Sequence, residues 1–194
     1  MTAPAAGFRR LLDVFERLGI GYMVAGSAAS STHGLIRATR DIDLVVDLKR
    51  EHIGSLVAEL RGGFYIDAEM IEEALRLEGS FNLIELETSF KFDVFALTLD
   101  PYQQAQFGRR VLATSTQFGP EPLEFRVATA EDTVLSKLAW FRRGGEVSET
   151  QWKDVRGVLE VQRGRLDLDY MRRWGRYLKL DELLERALTA AGAG

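Results

Sequence analysis

An α+β fold, a mixed β-sheet flanked by helices and followed by a C-terminal helical subdomain, is the architecture this sequence predicts, and three observations carry it. Up to about residue 128, short apolar runs rich in β-branched residues alternate with segments of helical spacing. From Thr129 onward the apolar residues fall at helical spacing almost without interruption. The charge divides at the same place: residues 1–128 hold 13 Lys/Arg against 18 Asp/Glu, whereas residues 129–194 hold 12 against 11. Two units are therefore expected, 1-128 and 129-194, in a chain of 194 residues whose 46% hydrophobic content suffices for a real core.

The elements follow in order. Phe8, Leu11, Leu12, Phe15 and Leu18 lie on one helical face, and Gly19 and Gly21 end that helix. Tyr22-Met23-Val24-Ala25 reads as a buried strand that stops at Gly26-Ser27 and leads into a short helix of small residues closed by Gly34. Asp41 to Asp47 is a second strand, with carboxylates at alternate positions among Ile42, Leu44, Val45 and Val46. Helices are expected over 50–60, ended by Gly62-Gly63, and over 68–78. Phe81 to Glu87 and Phe90 to Leu97 read as a hairpin turning at Thr88-Ser89. Asp100-Pro101 opens a short helix, with proline in the first turn where its missing N–H costs nothing. Two strands flank Gly119-Pro120-Glu121-Pro122, and Thr129 is a good N-cap with Asp132 three residues on. Helices then run over 130–142, 149–162, 167–178 and 180–191. No period repeats, which excludes a solenoid.

Composition narrows the chemistry. With no cysteine, a disulfide framework, a zinc–thiolate site, an iron–sulfur cluster and a cysteine nucleophile are all excluded. His33 and His52 are too few for an imidazole-rich metal site, so any metal must be a hard cation held by carboxylates. No window reaches eighteen apolar residues, and Met1-Thr2-Ala3-Pro4 lacks the basic start and apolar run of a signal peptide. A cytoplasmic protein with no membrane partner is the expectation.

Three features of the first unit belong together. Gly26-Ser27 sits at a strand-to-helix turn, where backbone N–H groups and the helix dipole can cradle a phosphate, although an ordinary turn has the same look. In Asp41-Ile42-Asp43 the period of two puts both carboxylates on one strand face, where they repel. Arg37 and Arg40 are available as countercharges on a solvated face; a divalent cation is the alternative, favoured by the apolar character of the strand. Asp93, within Lys91-Phe92-Asp93-Val94-Phe95, is a lone carboxylate in an apolar strand and needs a partner. If its strand lies beside the Asp41 strand, three carboxylates can hold two magnesium ions about 4 Å apart.

Gly26-Ser27, Arg37-x-Thr39-Arg40-Asp41-Ile42-Asp43-Leu44-Val45-Val46 and Lys91-Phe92-Asp93-Val94-Phe95 together resemble the polymerase-β-type nucleotidyltransferase superfamily, whose pattern is a Gly-Ser turn, a paired Asp-x-Asp and a third Asp on a later strand. Glu131-Asp132-Thr133-Val134-Leu135-Ser136-Lys137-Leu138-Ala139, followed by Trp152-Lys153-Asp154-Val155, resembles the helical half of AbiEii-type nucleotidyltransferase toxins and their relatives. The likeness covers residues 8–188 and implies the nucleotidyltransferase fold. It also implies roles. Asp41 and Asp43 would bind the metals carrying a nucleoside triphosphate, and Asp93 would bridge the catalytic metal and activate the acceptor hydroxyl. Gly26 and Ser27 would hold the β- and γ-phosphates, Lys137 would contact the triphosphate, and Asp154 would orient it. Arg40 is a further candidate for phosphate or base.

The implied activity is transfer of a nucleoside monophosphate from an NTP, ATP among them, to a hydroxyl of RNA such as tRNA, of a protein or of a small molecule. In the toxin version an antitoxin protein would be a partner. The competing class is a non-catalytic nucleotide-binding or protein-interaction module that keeps the fold; the presence of all three carboxylates argues against it. Arg142-Arg143 and Arg172-Arg173-x-x-Arg176 read as solvated helix faces. Trp140, Phe141, Trp152, Tyr170, Trp174 and Tyr177 read as core of the helical part.

Overall fold

A computed structural model describes residues 5–194, so the reading of Met1 to Pro4 lies outside the described residues. The order of elements is α1 (Ala5–Arg17), β1 (Gly21–Val24), α2 (Gly26–His33), β2 (Asp41–Asp47), α3 (Ile53–Leu60), β3 (Phe64–Tyr65), α4 (Ala68–Arg76), β4 (Ser80–Glu85), β5 (Lys91–Ala96), α5 (Pro101–Arg109), β6 (Val111–Ser115), β7 (Leu123–Val127), α6 (Ala130–Arg143), α7 (Glu149–Val161), α8 (Leu168–Tyr177) and α9 (Asp181–Ala191). A turn of 3-10 helix, Arg50–His52, leads into α3. The α+β class is as the sequence predicts.

The strands form one mixed sheet in the order β3-β4-β5-β2-β1-β7-β6. β2 and β5 run parallel, as do β1 and β7, while the other neighbours are antiparallel. On one face, Ile42, Leu44, Val46, Phe92 and Val94 are buried against Phe8, Leu11 and Phe15 of α1, Leu56 and Leu60 of α3, and Ile71 of α4. Each such apolar side chain contributes about 1.5–3 kcal/mol by leaving water. The opposite face carries Asp41, Asp43, Lys91 and Asp93, because every second residue of β2 and β5 points there.

β3 was not legible. It is two residues long, and only its pairing with β4, Phe64 beside Glu85 and Tyr65 beside Ile84, makes it a strand. The β4–β5 hairpin exists, but its connection is the five residues 86–90 rather than a two-residue turn at Thr88-Ser89. Ser89 takes a left-handed φ of 58°, and the Glu85 carboxylate accepts from the Thr88 hydroxyl, which closes the longer loop.

The C-terminal helices form a second apolar core around Val134, Leu138, Val158, Leu159, Met171, Leu184 and Leu188. Thr129 caps α6 as expected, accepting from Asp132 N at 3.2 Å and donating to its carboxylate at 2.8 Å. Phe141 and Tyr170 are core residues, and Trp152 and Trp174 pack beside them. Trp140 and Tyr177 are instead about half exposed, which corrects the reading of all six aromatics as core. Trp140 carries the Arg143 guanidinium over its ring, and Tyr177 donates to Asp100 Oδ2 at 2.9 Å. Arg172 forms an exposed ion pair with Glu185, as a solvated face should.

α2 joins the two parts by packing on both α6 and α7. At its end Gly34 lies so close to α7 that an added Cβ would stand 2.8 Å from Val158 N. His33 also fastens this junction, its Nε2 lying 2.7 Å from Ala128 O. Burial lowers the His33 pKa below 6.5, outweighing the bond to Ala128 and the nearby Glu131. A depressed folded pKa means that the stabilisation is present above the unfolded value and is lost as pH falls through the folded one. Thermal melts at pH 7.5 and 5.5 should show a larger drop for wild type than for His33→Gln; equal drops would exclude His33 as the source. Among the described residues, no helix is long and apolar enough to cross a membrane.

Candidate active site

The parallel pairing of β2 with β5 settles what the sequence left conditional. Asp43 is the register partner of Asp93, and Asp41 is the register partner of Lys91. All four side chains therefore share the sheet face turned away from the main core, and Asn82 of β4 continues the row beside Asp93. Beneath them lies a small apolar floor of Met23, Val45, Phe107 and Ala128.

α2 begins at the edge of this face. Its N-cap, Ala25, offers no side-chain cap, so the first N–H groups of the helix are not satisfied by a capping side chain. Ala25 N donates to Asp43 O at 2.9 Å, which fixes the turn against β2. Gly26 has φ of 55°, and a Cβ there would stand 1.8 Å from Asp43 Oδ2. The carboxylate thus fills the space that any larger residue would need, and it accepts the Ser27 backbone N–H. Gly26→Ala would cost about 1–2 kcal/mol in backbone conformation alone and would push Asp43 aside. A lower thermal midpoint and a loss of transfer on the order of 10²-fold are expected; wild-type turnover in Gly26→Ala would show that this close approach is dispensable.

Ser27 does not offer its backbone as freely as expected. Its N–H is taken by Asp43, and its hydroxyl accepts from Arg37 Nη2 at 2.6 Å. Arg37 in turn donates through Nε and Nη2 to the two oxygens of Asp154, both at 2.9 Å. Asp154 Oδ2 also receives Lys137 Nζ at 2.6 Å, and Gln151 Oε1 lies 3.3 Å from the same ammonium. Lys137 is only 4% exposed. One chain of polar contacts therefore runs from the start of α2 through the loop before β2 to α7 and α6. Burial would raise the Asp154 pKa, but Arg37 and Lys137 together outweigh it and hold the carboxyl below its ordinary value.

The electrostatics of the acid face run the other way. Burial raises the Asp43 pKa, Asp41 and Asp93 raise it further, and Lys137 with the Ser27 N–H offsets part of this. Negative charge on this face is thus under-neutralised. Thr39 Oγ1 donates to Asp41 O at 2.9 Å and lies 3.2 Å from Asp41 Oδ1. Lys91 Nζ stands 2.7 Å from Asp93 Oδ2 and 3.8 Å from Asp41 Oδ2. The bond to Asp93 raises the Lys91 pKa and keeps it protonated.

Sequence reasoning placed Asp41, Asp43, Asp93, Gly26, Ser27, Lys137 and Asp154 in one region, and the fold brings them to one region. Arg40 is different: it is exposed and has no ion-pair partner among the described residues. Lys91 and Gln151 were missed as contributors. Lys91 was findable, since it lies two residues before Asp93 in a strand and must share its face. The carboxylates do not close into a ready-made cage either: no three acidic or histidine side chains among the described residues are spaced to hold an ion. The cation between Asp41 and Asp93 is the Lys91 ammonium. The residues nonetheless suit a hard divalent ion, being all-oxygen donors, mutually repelling and incompletely neutralised.

Solved structures share this fold of a mixed sheet followed by helices. No protein-family model matches the chain, and no curated protein matches it in sequence. The antibiotic-resistance factor ANT(2'')-Ia is similar over 92% of this chain and 95% of its own, with 13% identity and a TM-score of 0.54. An antigenic nucleotidyltransferase-like protein from Paracoccidioides brasiliensis is similar over 91% of this chain and 87% of its own, with 17% identity and a TM-score of 0.52. At these identities the likeness establishes the fold.

Proposed function

We propose that the protein is a magnesium-dependent nucleotidyltransferase that moves a nucleoside monophosphate from an NTP to an acceptor hydroxyl. The observation that carries the reading is the register of β2 and β5, which sets Asp43 beside Asp93 on the face where Asp41 and the start of α2 also lie. Asp41, Asp43 and Asp93 are the residues to hold magnesium. When bound, it supplies neutralisation of phosphate charge and a lower pKa for the acceptor hydroxyl. Asp93 accepts the proton of the attacking hydroxyl, which displaces pyrophosphate in line at the α-phosphorus. The Gly26 and Ala28 N–H groups at the start of α2, with the Ser27 hydroxyl, receive phosphate oxygens. Lys137 supplies positive charge beside Asp43, and Asp154, held by Arg37, fixes where that charge sits.

The Lys137–Asp154 contact also supports the AbiEii-like version of this reading, in which the acceptor is tRNA or protein and an antitoxin controls the enzyme. ANT(2'')-Ia, an antibiotic-resistance factor of the same fold, makes a small hydroxylated molecule the other acceptor class to test. The presence of all three carboxylates on one face argues against a non-catalytic module of this fold.

The test is incubation with each labelled NTP and magnesium against total RNA, cell protein and a panel of small-molecule antibiotics, aminoglycosides among them. Label is expected in one acceptor class and is lost on adding EDTA. Absence of transfer to all three, with no NTP affinity, would overturn the reading.

A further inference from the structure

Lys91 sits among the carboxylates of the acid face, and the proposed reaction leaves it unused. Its ammonium lies 2.7 Å from Asp93 and 3.8 Å from Asp41, the two acids flanking the position a bound ion must share. Two facts make this more than a surface pair. The register of β2 and β5 leaves Lys91 no other side of the sheet to occupy, since it is the strand partner of Asp41 and lies two residues from Asp93. Asp41 has no other ion-pair partner among the described residues: Arg37 is committed to Asp154 and Ser27, Lys137 to Asp154 and Gln151, and Arg40 pairs with no acid. With a side chain 41% exposed, Lys91 is also able to swing away without opening the core.

We propose that Lys91 is an internal countercation that competes with the divalent ion for Asp41 and Asp93 and so couples ion binding to the arrival of a polyphosphate. The inference rests on the nucleotidyltransferase reading and adds a control to it. An ion arriving alone must expel the ammonium from its two acids and leave it with water. An ion arriving with a triphosphate brings anionic oxygens to which the displaced ammonium can turn, so the same displacement is partly repaid. The ion therefore binds weakly by itself and tightly with nucleotide. Removing the charge at Lys91 should remove that difference.

The experiment measures Mn²⁺ affinity directly, by electron paramagnetic resonance of the free ion, with and without a non-hydrolysable nucleoside triphosphate analogue. Wild type is compared with Lys91→Met, which keeps length and loses charge, and with Lys91→Arg, which keeps charge. Near-ultraviolet circular dichroism checks that each variant is folded. Lys91→Met is expected to bind Mn²⁺ alone about tenfold more tightly than wild type, as loss of a neighbouring positive charge requires, and to gain less from the analogue. Lys91→Arg should behave like wild type. Equal Mn²⁺ affinity in wild type and Lys91→Met overturns the proposal while leaving the nucleotidyltransferase reading intact. No saturable Mn²⁺ binding by any of the three proteins overturns both.

Discussion

Asp43→Asn is expected to abolish nucleotidyl transfer, with kcat falling on the order of 10³-fold or more, while leaving the protein at least as stable as wild type. The two halves of that result have one cause. Asp43 is half-buried beside Asp41 and Asp93, and its pKa is raised by that desolvation and by the two acids, so its charged form is destabilised by the fold. A raised folded pKa means a contribution to stability that is present below the unfolded value of about 3.8 and is lost as pH rises through the folded one. Asparagine has nearly the same shape, can still accept the Ser27 N–H, and carries no charge to repel. In EDTA, the thermal midpoint of Asp43→Asn relative to wild type should therefore rise between pH 4 and 7, although the same protein turns nothing over. An inactive and unfolded Asp43→Asn would mean that the carboxylate is structural, and the acid face would lose its chemical meaning.

Asp154→Ala should show the reverse balance. Lys137 is almost fully buried, and its ammonium is 2.6 Å from Asp154, with Gln151 as its only other partner among the described residues. Removing the acid leaves a buried cation without its countercharge, a loss of about 3 kcal/mol. Arg37 loses its partner too, but it is one-third exposed and water can replace the contact at little cost. Since the Asp154 pKa is held low, its stabilisation is present above the unfolded value and is lost as pH falls through the folded one. Denaturant melts at pH 7 should show the full loss, and the gap between wild type and Asp154→Ala should narrow in acid. Adding Lys137→Met to Asp154→Ala should recover most of the stability, because the unpaired cation is then gone. Failure of that second change to recover stability would place the cost elsewhere than in the Lys137 charge.

Much of this fold was legible because local pattern carries it. The alternating acids of β2 mark a strand with one apolar and one polar face whatever the rest of the chain does. Proline at position 101 after Asp100, and Thr129 before Asp132, mark helix starts by chemistry that acts within four residues. What was not legible depends on segments far apart in the chain. Whether β5 lies beside β2 is decided by the crossover between them, and no residue of either strand announces it. The bond from Arg37 to Asp154 spans 117 positions, so an arginine that reads as a countercharge for the nearby acids is spent on another one. Lys91 was missed for a different reason: its spacing from Asp93 was visible, but its competition with an ion becomes apparent only once Asp41 is seen opposite it.

Whether the acid face transfers a nucleoside monophosphate is tested by following the two ends of one triphosphate. Wild type and Asp43→Asn are incubated with magnesium, the acceptor class that takes label, and the same NTP labelled at either the α- or the γ-phosphorus. Wild type should move the α label to the acceptor and release the γ label in pyrophosphate, and Asp43→Asn should do neither. Appearance of the γ label in the acceptor, or transfer by Asp43→Asn at the wild-type rate, would contradict transfer by the acid face.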